Sequence, residues 1–134
     1  MKLLLDTHTF LWYITNDPKL PRHAYDTIRD KSNDVYLSVV SVWEMVVKHQ
    51  IGKLPLPAPA DEYLKDRQAA HRIASLPLEF AAVGRLAGLP LHHRDPFDRM
   101  LISQALHHEL VIVTMDDQFR RYPVTLLTPP DSTA

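Results

Sequence analysis

Lys2-Leu3-Leu4-Leu5-Asp6-Thr7 is the stretch that decides the fold. A run of leucines without polar alternation predicts a short strand covered on both faces, as in a parallel sheet between layers of helices. The strand stops at a carboxylate. In open α/β sheets, ligands sit just outside the carboxyl ends of the strands, so Asp6 falls where chemistry is usually done.

Working outward, further strands are expected over 35–38, 72–76, 110–114 and 124–127, each rich in apolar and β-branched residues. Helices are expected over 9–14, 20–29 (with Pro21 in its first turn), 41–51 (stopped by Gly52), 61–71 and 77–88. A last helix should start at Asp95-Pro96 and run through Leu106. The proline-rich stretch 54–59 reads as a loop. Strand and helix alternate throughout, which predicts an α/β protein with a mostly parallel sheet of about five strands between helices. The 134 residues suit one domain, with a tail frayed from about residue 128.

Composition narrows the function. The net charge is −1, so no global basic field exists and any nucleic-acid binding must use a local patch. The absence of cysteine excludes disulfides, thiolate zinc sites and cysteine nucleophiles. With three glycines, the chain has neither GxGxxG nor GxxxxGK[ST], which argues against Rossmann or P-loop nucleotide binding. Asp6 interrupts the first apolar run, so it is not a signal peptide, and no stretch reaches the roughly 20 apolar residues of a membrane span. A cytoplasmic location with no membrane partner is expected.

Four acids are expected at one sheet edge. Asp6 and Asp116 end strands, while Glu44 and Asp98 begin helices on the same side. Each has a plain local explanation. Ser41-x-x-Glu44 is a capping box, Asp95-Pro96-x-Asp98 an N-cap followed by a first-turn acid, and Asp6 and Asp116 suit caps. Together they make a different case. Converging carboxylates repel one another, and a divalent cation relieves that cost. Hard oxygen ligands suit Mg²⁺ or Mn²⁺, whose bound water becomes a nucleophile toward a phosphodiester. Thr7 and Thr114 stand where hydroxyls can hold carboxylates or water.

The residues then resemble a family. Leu3-Leu4-Leu5-Asp6-Thr7-His8, Ser41-Val42-Trp43-Glu44, the run His93-Arg94-Asp95-Pro96-Phe97-Asp98-Arg99-Met100-Leu101-Ile102-Ser103-Gln104-Ala105, and Val113-Thr114-Met115-Asp116 are similar, in order and spacing, to PIN domains. The likeness is strongest to the VapC-type ribonuclease toxins of toxin–antitoxin pairs. It implies a three-layer α/β/α PIN-like fold and a Mg²⁺- or Mn²⁺-dependent endoribonuclease cutting RNA, with tRNA a family-level guess for the target. It also implies a homodimer, inhibited by a VapB-like antitoxin. The family's catalytic and metal-binding acids map onto Asp6, Glu44, Asp98 and Asp116, with adjacent Asp117 a substitute for Asp116. Asp95 is read as a cap.

Arg94 and Arg99 flank Asp98 and suit either RNA phosphates or nearby carboxylates. Lys48 follows Glu44 by one helical turn, as in an i,i+4 pair. His8 and His93 lie near the acidic edge, within reach of a substrate, but read first as solvated loop residues. The pairs His92-His93 and His107-His108 are not expected to converge on one ion, because neighbours on a helix or strand point apart. Trp12, Tyr13, Trp43 and Met45 read as core, or in part as a groove for the antitoxin. Two other functions compete. An aspartate-nucleophile phosphohydrolase built on Asp6 would want an acid two residues on, where His8 stands. A non-catalytic PIN-like module for RNA or a partner would normally lack the acids.

Overall fold

β1 (Lys2–Leu5) runs through the middle of a five-stranded sheet with β2 (Asp34–Ser38), β3 (Ala74–Leu76), β4 (Val111–Val113) and β5 (Leu126–Leu127). The computed structural model describes residues 1–127, and the tail expected to fray lies outside them. The strand order is β3-β2-β1-β4-β5 and every pairing is parallel. The mostly parallel three-layer sheet expected from the strand–helix alternation is therefore present.

The leucine run explains the layering. Leu3 and Leu5 point into one core with Phe10, Tyr13, Ile28, Met45 and Leu64, while Leu4 points into the other with Leu101, Ile102, Ala105 and Phe119. All three leucines are fully buried. A strand with side chains alternating between two dry faces cannot carry polar residues on either, hence the unbroken run. Helices α1 (Thr7–Ile14), α2 (Arg22–Arg29), α3 (Val39–Gln50) and α4 (Ala60–Ala70) supply the first face. α6 (Pro96–His108) covers the second, with α5 (Phe80–Arg85) packed on it.

Several expected boundaries move. α3 starts at Val39, because Ser38 is the N-cap and its hydroxyl accepts from the Val40 amide. The β-branched pair Val39-Val40 reads as strand by propensity, but the cap and the packing of Val40 override it. The Ser41–Glu44 capping box is thereby lost. The Ser41 hydroxyl is buried without a partner among the described residues. Pro21 is the residue before α2 rather than within its first turn. α5 begins only at Phe80, is six residues long and passes into a 3-10 turn at Leu86–Gly88. Its large apolar residues did not signal a core face: Phe80 is 94% exposed, and only the small Ala82 is buried. Among the described residues no helix is long and apolar enough to cross a membrane.

From β1 the chain moves outward to β2 and β3, then returns to the other side of β1 for β4 and β5. The gap between the ends of β1 and β4 is a topological switch point, where helices diverge to opposite faces and a crevice opens.

Candidate active site

Parallel register sets the end of β1 beside the end of β4, Leu5 pairing with Val113. The Asp6 amide donates to the Val113 carbonyl at 3.2 Å, so the next residue on each strand, Asp6 and Thr114, face each other across the switch point. The Thr114 hydroxyl donates to Asp6 Oδ2. Asp6 Oδ1 accepts the Thr9 amide at 2.8 Å, which caps α1 two residues earlier than expected. Burial pushes the Asp6 carboxyl above its usual range, against the pull of the Thr114 and Thr9 hydrogen bonds.

α3 carries Glu44 on its inward face, one turn after Val40 and Ser41. Its Oε1 accepts the Thr7 hydroxyl at 2.7 Å, and its Oε2 is paired with Lys48 in the expected i,i+4 arrangement. That hydrogen bond to Glu44 raises the Lys48 pKa. Glu44 is thus held from α1 and from its own helix.

α6 brings the third acid. Asp95 caps the helix, accepting the amides of Phe97 and Asp98 at 2.8 and 3.1 Å, and Pro96 fills the first helical position where no amide hydrogen is needed. Asp98 lies one turn before the buried pair Leu101 and Ile102, so its carboxylate shares the face that packs on the sheet. Burial, and then the Asp95 charge, push its pKa up to about 7, against the hydrogen bond from His93.

Asp116 completes the group. It caps the 3-10 turn at Asp117–Arg121 through the Gln118 amide, and its own amide donates to the Thr114 hydroxyl. Asp6, Glu44, Lys48, His93, Asp98 and Asp116 share one cleft of about 280 Å³ at the switch point. Asp117 does not line that cleft; its side chain is 90% exposed and pairs with Arg120 at 3.2 Å.

Other expectations are corrected here. His93 is not a solvated loop residue: its side chain is 14% exposed, with Nε2 2.8 Å from Asp98 Oδ2. Arg99 donates to the Leu89 carbonyl at 3.0 Å and does not line the cleft, whereas Arg94 is exposed. Neither arginine forms an ion pair with Asp95 or Asp98 among the described residues. Trp43 is no core residue; it is 60% exposed and sits edge-on to Phe97 with centroids 5.0 Å apart. The adjacent His107 and His108 do lean together, and with Glu79 they offer ligand atoms within 4.8 Å of one another.

The donor set decides what the cleft can hold. Four carboxylates, of which burial raises the pKa of Asp6 and Asp98, stand with hydroxyls and the imidazoles of His8 and His93 in an electronegative pocket rich in hard oxygen donors. Such a set fits a divalent cation of the Mg²⁺ or Mn²⁺ kind. Fold and cleft together define an α/β protein with an acidic pocket at the switch point of a parallel sheet.

The chain belongs to the PIN domain family, whose profile matches residues 3–124. It is 30% identical to ribonuclease VapC16 of Mycobacterium tuberculosis, over 80% of this chain and 77% of that protein. Its fold is similar to that of a chain of VapBC2 from Rickettsia felis, solved bound to a DNA fragment from their promoter, with a TM-score of 0.71 and 17% identity over 96% of this chain and 98% of the other. A chain of DNA-bound VapBC from Salmonella typhimurium is similar too, with a TM-score of 0.67 and 22% identity over 96% and 98% of the two chains.

Proposed function

We propose that this protein is a metal-dependent endoribonuclease and the toxin of a toxin–antitoxin pair. The observation that carries the reading is the convergence of Asp6, Glu44, Asp98 and Asp116 on one cleft at the switch point. The likeness to a protein named a ribonuclease supports it. In this reading the four carboxylates hold Mg²⁺ or Mn²⁺, with Thr114 orienting Asp6 and Thr7 orienting Glu44. The bound ion would lower the pKa of a water for attack on an RNA phosphodiester and offset the developing charge. Asp116, not Asp117, is the fourth acid. Arg94 supplies a cation for RNA phosphates at the rim.

The solved structures whose fold it shares are of VapBC proteins, which supports a VapB-like antitoxin as partner. The exposed Trp43, edge-on to Phe97 beside Asp98, offers an apolar anchor for it. A homodimer and a cytoplasmic location belong to the same reading.

The test is cleavage of a purified tRNA pool with Mg²⁺ or Mn²⁺, beside an EDTA control and Asp98→Asn. Metal-dependent cutting that disappears in the variant is expected. Well-folded protein that cuts no class of RNA with either ion would refute the reading.

A further inference from the structure

The cleft contains a nitrogen donor that the four carboxylates do not account for. His93 Nε2 lies 2.8 Å from Asp98 Oδ2 and 4.0 Å from Asp116 Oδ2. The ligand-type atoms of these three residues all lie within 4.8 Å of one another. The ring's position is built rather than incidental. The amides of His92 and His93 donate to the Tyr122 hydroxyl at 3.1 and 2.9 Å, and that hydroxyl donates to the Pro90 carbonyl at 2.7 Å. Phe119 packs edge-on against the ring, with centroids 6.1 Å apart. Tyr122 therefore pins the loop, and the His93 imidazole lies among the acids of the cleft.

A hydrogen bond to Asp98 alone would explain one of these distances. It leaves the second carboxylate facing the same nitrogen, which carries at most one proton. Coordination to one shared ion is compatible with both spacings. Donors to one small divalent ion, each bonded at about 2.1 Å, would lie within about 4.2 Å of one another. Both observed spacings fall inside that limit.

We propose that His93 is a nitrogen ligand of the divalent ion in this cleft and biases the site toward Mn²⁺ over Mg²⁺. The inference rests on the reading of the cleft as a metal site. Magnesium favours an all-oxygen shell with retained water, whereas imidazole is a common donor to first-row transition ions. Replacing one oxygen donor with this nitrogen penalises Mg²⁺ most.

The experiment loads metal-free protein with Mn²⁺ and records pulsed electron paramagnetic resonance, alongside calorimetric titrations with Mn²⁺ and with Mg²⁺. Directly bound nitrogen modulates the echo, and histidine labelled with nitrogen-15 changes that pattern in wild-type protein without any mutation. His8, which also lines the cleft, is controlled by His8→Gln, which keeps the coupling. His93→Gln abolishes it and weakens Mn²⁺ binding about tenfold or more, with a smaller effect on Mg²⁺. Mn²⁺ bound to wild type without nitrogen coupling overturns the role of His93 and leaves the acidic site standing. So does an equal loss for both ions in His93→Gln. Failure of either ion to bind overturns both this inference and the metal site beneath it.

Discussion

Thr114, just past the end of β4, donates its hydroxyl to Oδ2 of Asp6, just past the end of β1. The two are 108 positions apart, so only the parallel register of the finished sheet brings them together. Asp6 therefore serves two structures at once. One oxygen faces Thr114 and the cleft, while the other caps α1.

This double duty separates two substitutions. Asp6→Asn keeps an oxygen for the Thr9 amide and removes a charge that burial disfavours. Metal-free protein carrying it should melt at or above the wild-type temperature while cleavage is lost. Asp6→Ala also removes the cap, at a cost of about 1 kcal/mol, or a fall in Tm of about 3 °C. Thermal melts in EDTA check both. An Asp6→Asn protein as unstable as Asp6→Ala would mean that the carboxylate charge supports the metal-free fold, and would overturn the reading of Asp6 as a strained acid.

Asp98 makes the metal-free protein sensitive to pH. Its carboxyl titrates near the ordinary aspartate value of 3.8 when unfolded and at about 7 when folded. Between those values the folded state keeps a proton that the unfolded state has released. Stability therefore falls as pH rises through this window, and the slope from this group vanishes above it. Burial, Asp95 and Asp6 raise the value and His93 lowers it, so the window belongs to the cluster. Asp98→Asn should flatten the dependence and be the more stable protein at about pH 8. Urea titrations of both proteins in EDTA across the window measure the difference. Parallel curves would refute the assignment.

Lys48 is predicted to stand in for a cation. Its ammonium pairs with Glu44, whose side chain is 4% exposed. Lys48→Met leaves that carboxylate with the Thr7 hydroxyl alone, so metal-free stability should fall. With the competing ammonium gone, added Mn²⁺ should raise the Tm more than in wild type. Melts with and without Mn²⁺ decide; an unchanged metal response would mean that Lys48 and the ion do not compete.

Local chemistry explains why some of this was readable in one dimension. Leu3 to Leu5 announced a strand buried on both faces, and Asp95-Pro96 announced α6 with Asp98 on its inward side. The order of acids along the chain followed the strand ends. His93 carried no such signal, because the residue that pins it, Tyr122, is 29 positions away and meets it only in the folded chain. Ser38 was hidden for a related reason. Its side chain donates to Gln104, 66 positions on, and caps α3 within a stretch that propensity assigns to a strand. Short α5 misled because Phe80 and Val83 keep helical spacing on a face the sheet does not cover.

The arginines beside Asp98, equivalent in sequence, should separate by experiment. Arg94 is exposed on the loop that leads into α6. Arg99 is tied to the Leu89 carbonyl, with its Nε buried and unpaired among the described residues. In an Asp98→Asn background that binds RNA without cutting it, Arg94→Ala should weaken binding and lower the salt slope by about one ion. Arg99→Met should leave the slope unchanged and cost about 1 kcal/mol of stability by freeing the Leu89 carbonyl. Binding isotherms at several salt concentrations, with melts of each variant, read both effects. If Arg99→Met lowered the slope and Arg94→Ala did not, the phosphate contact would belong to α6 itself, and RNA would approach the cleft from the helix side rather than over the loop.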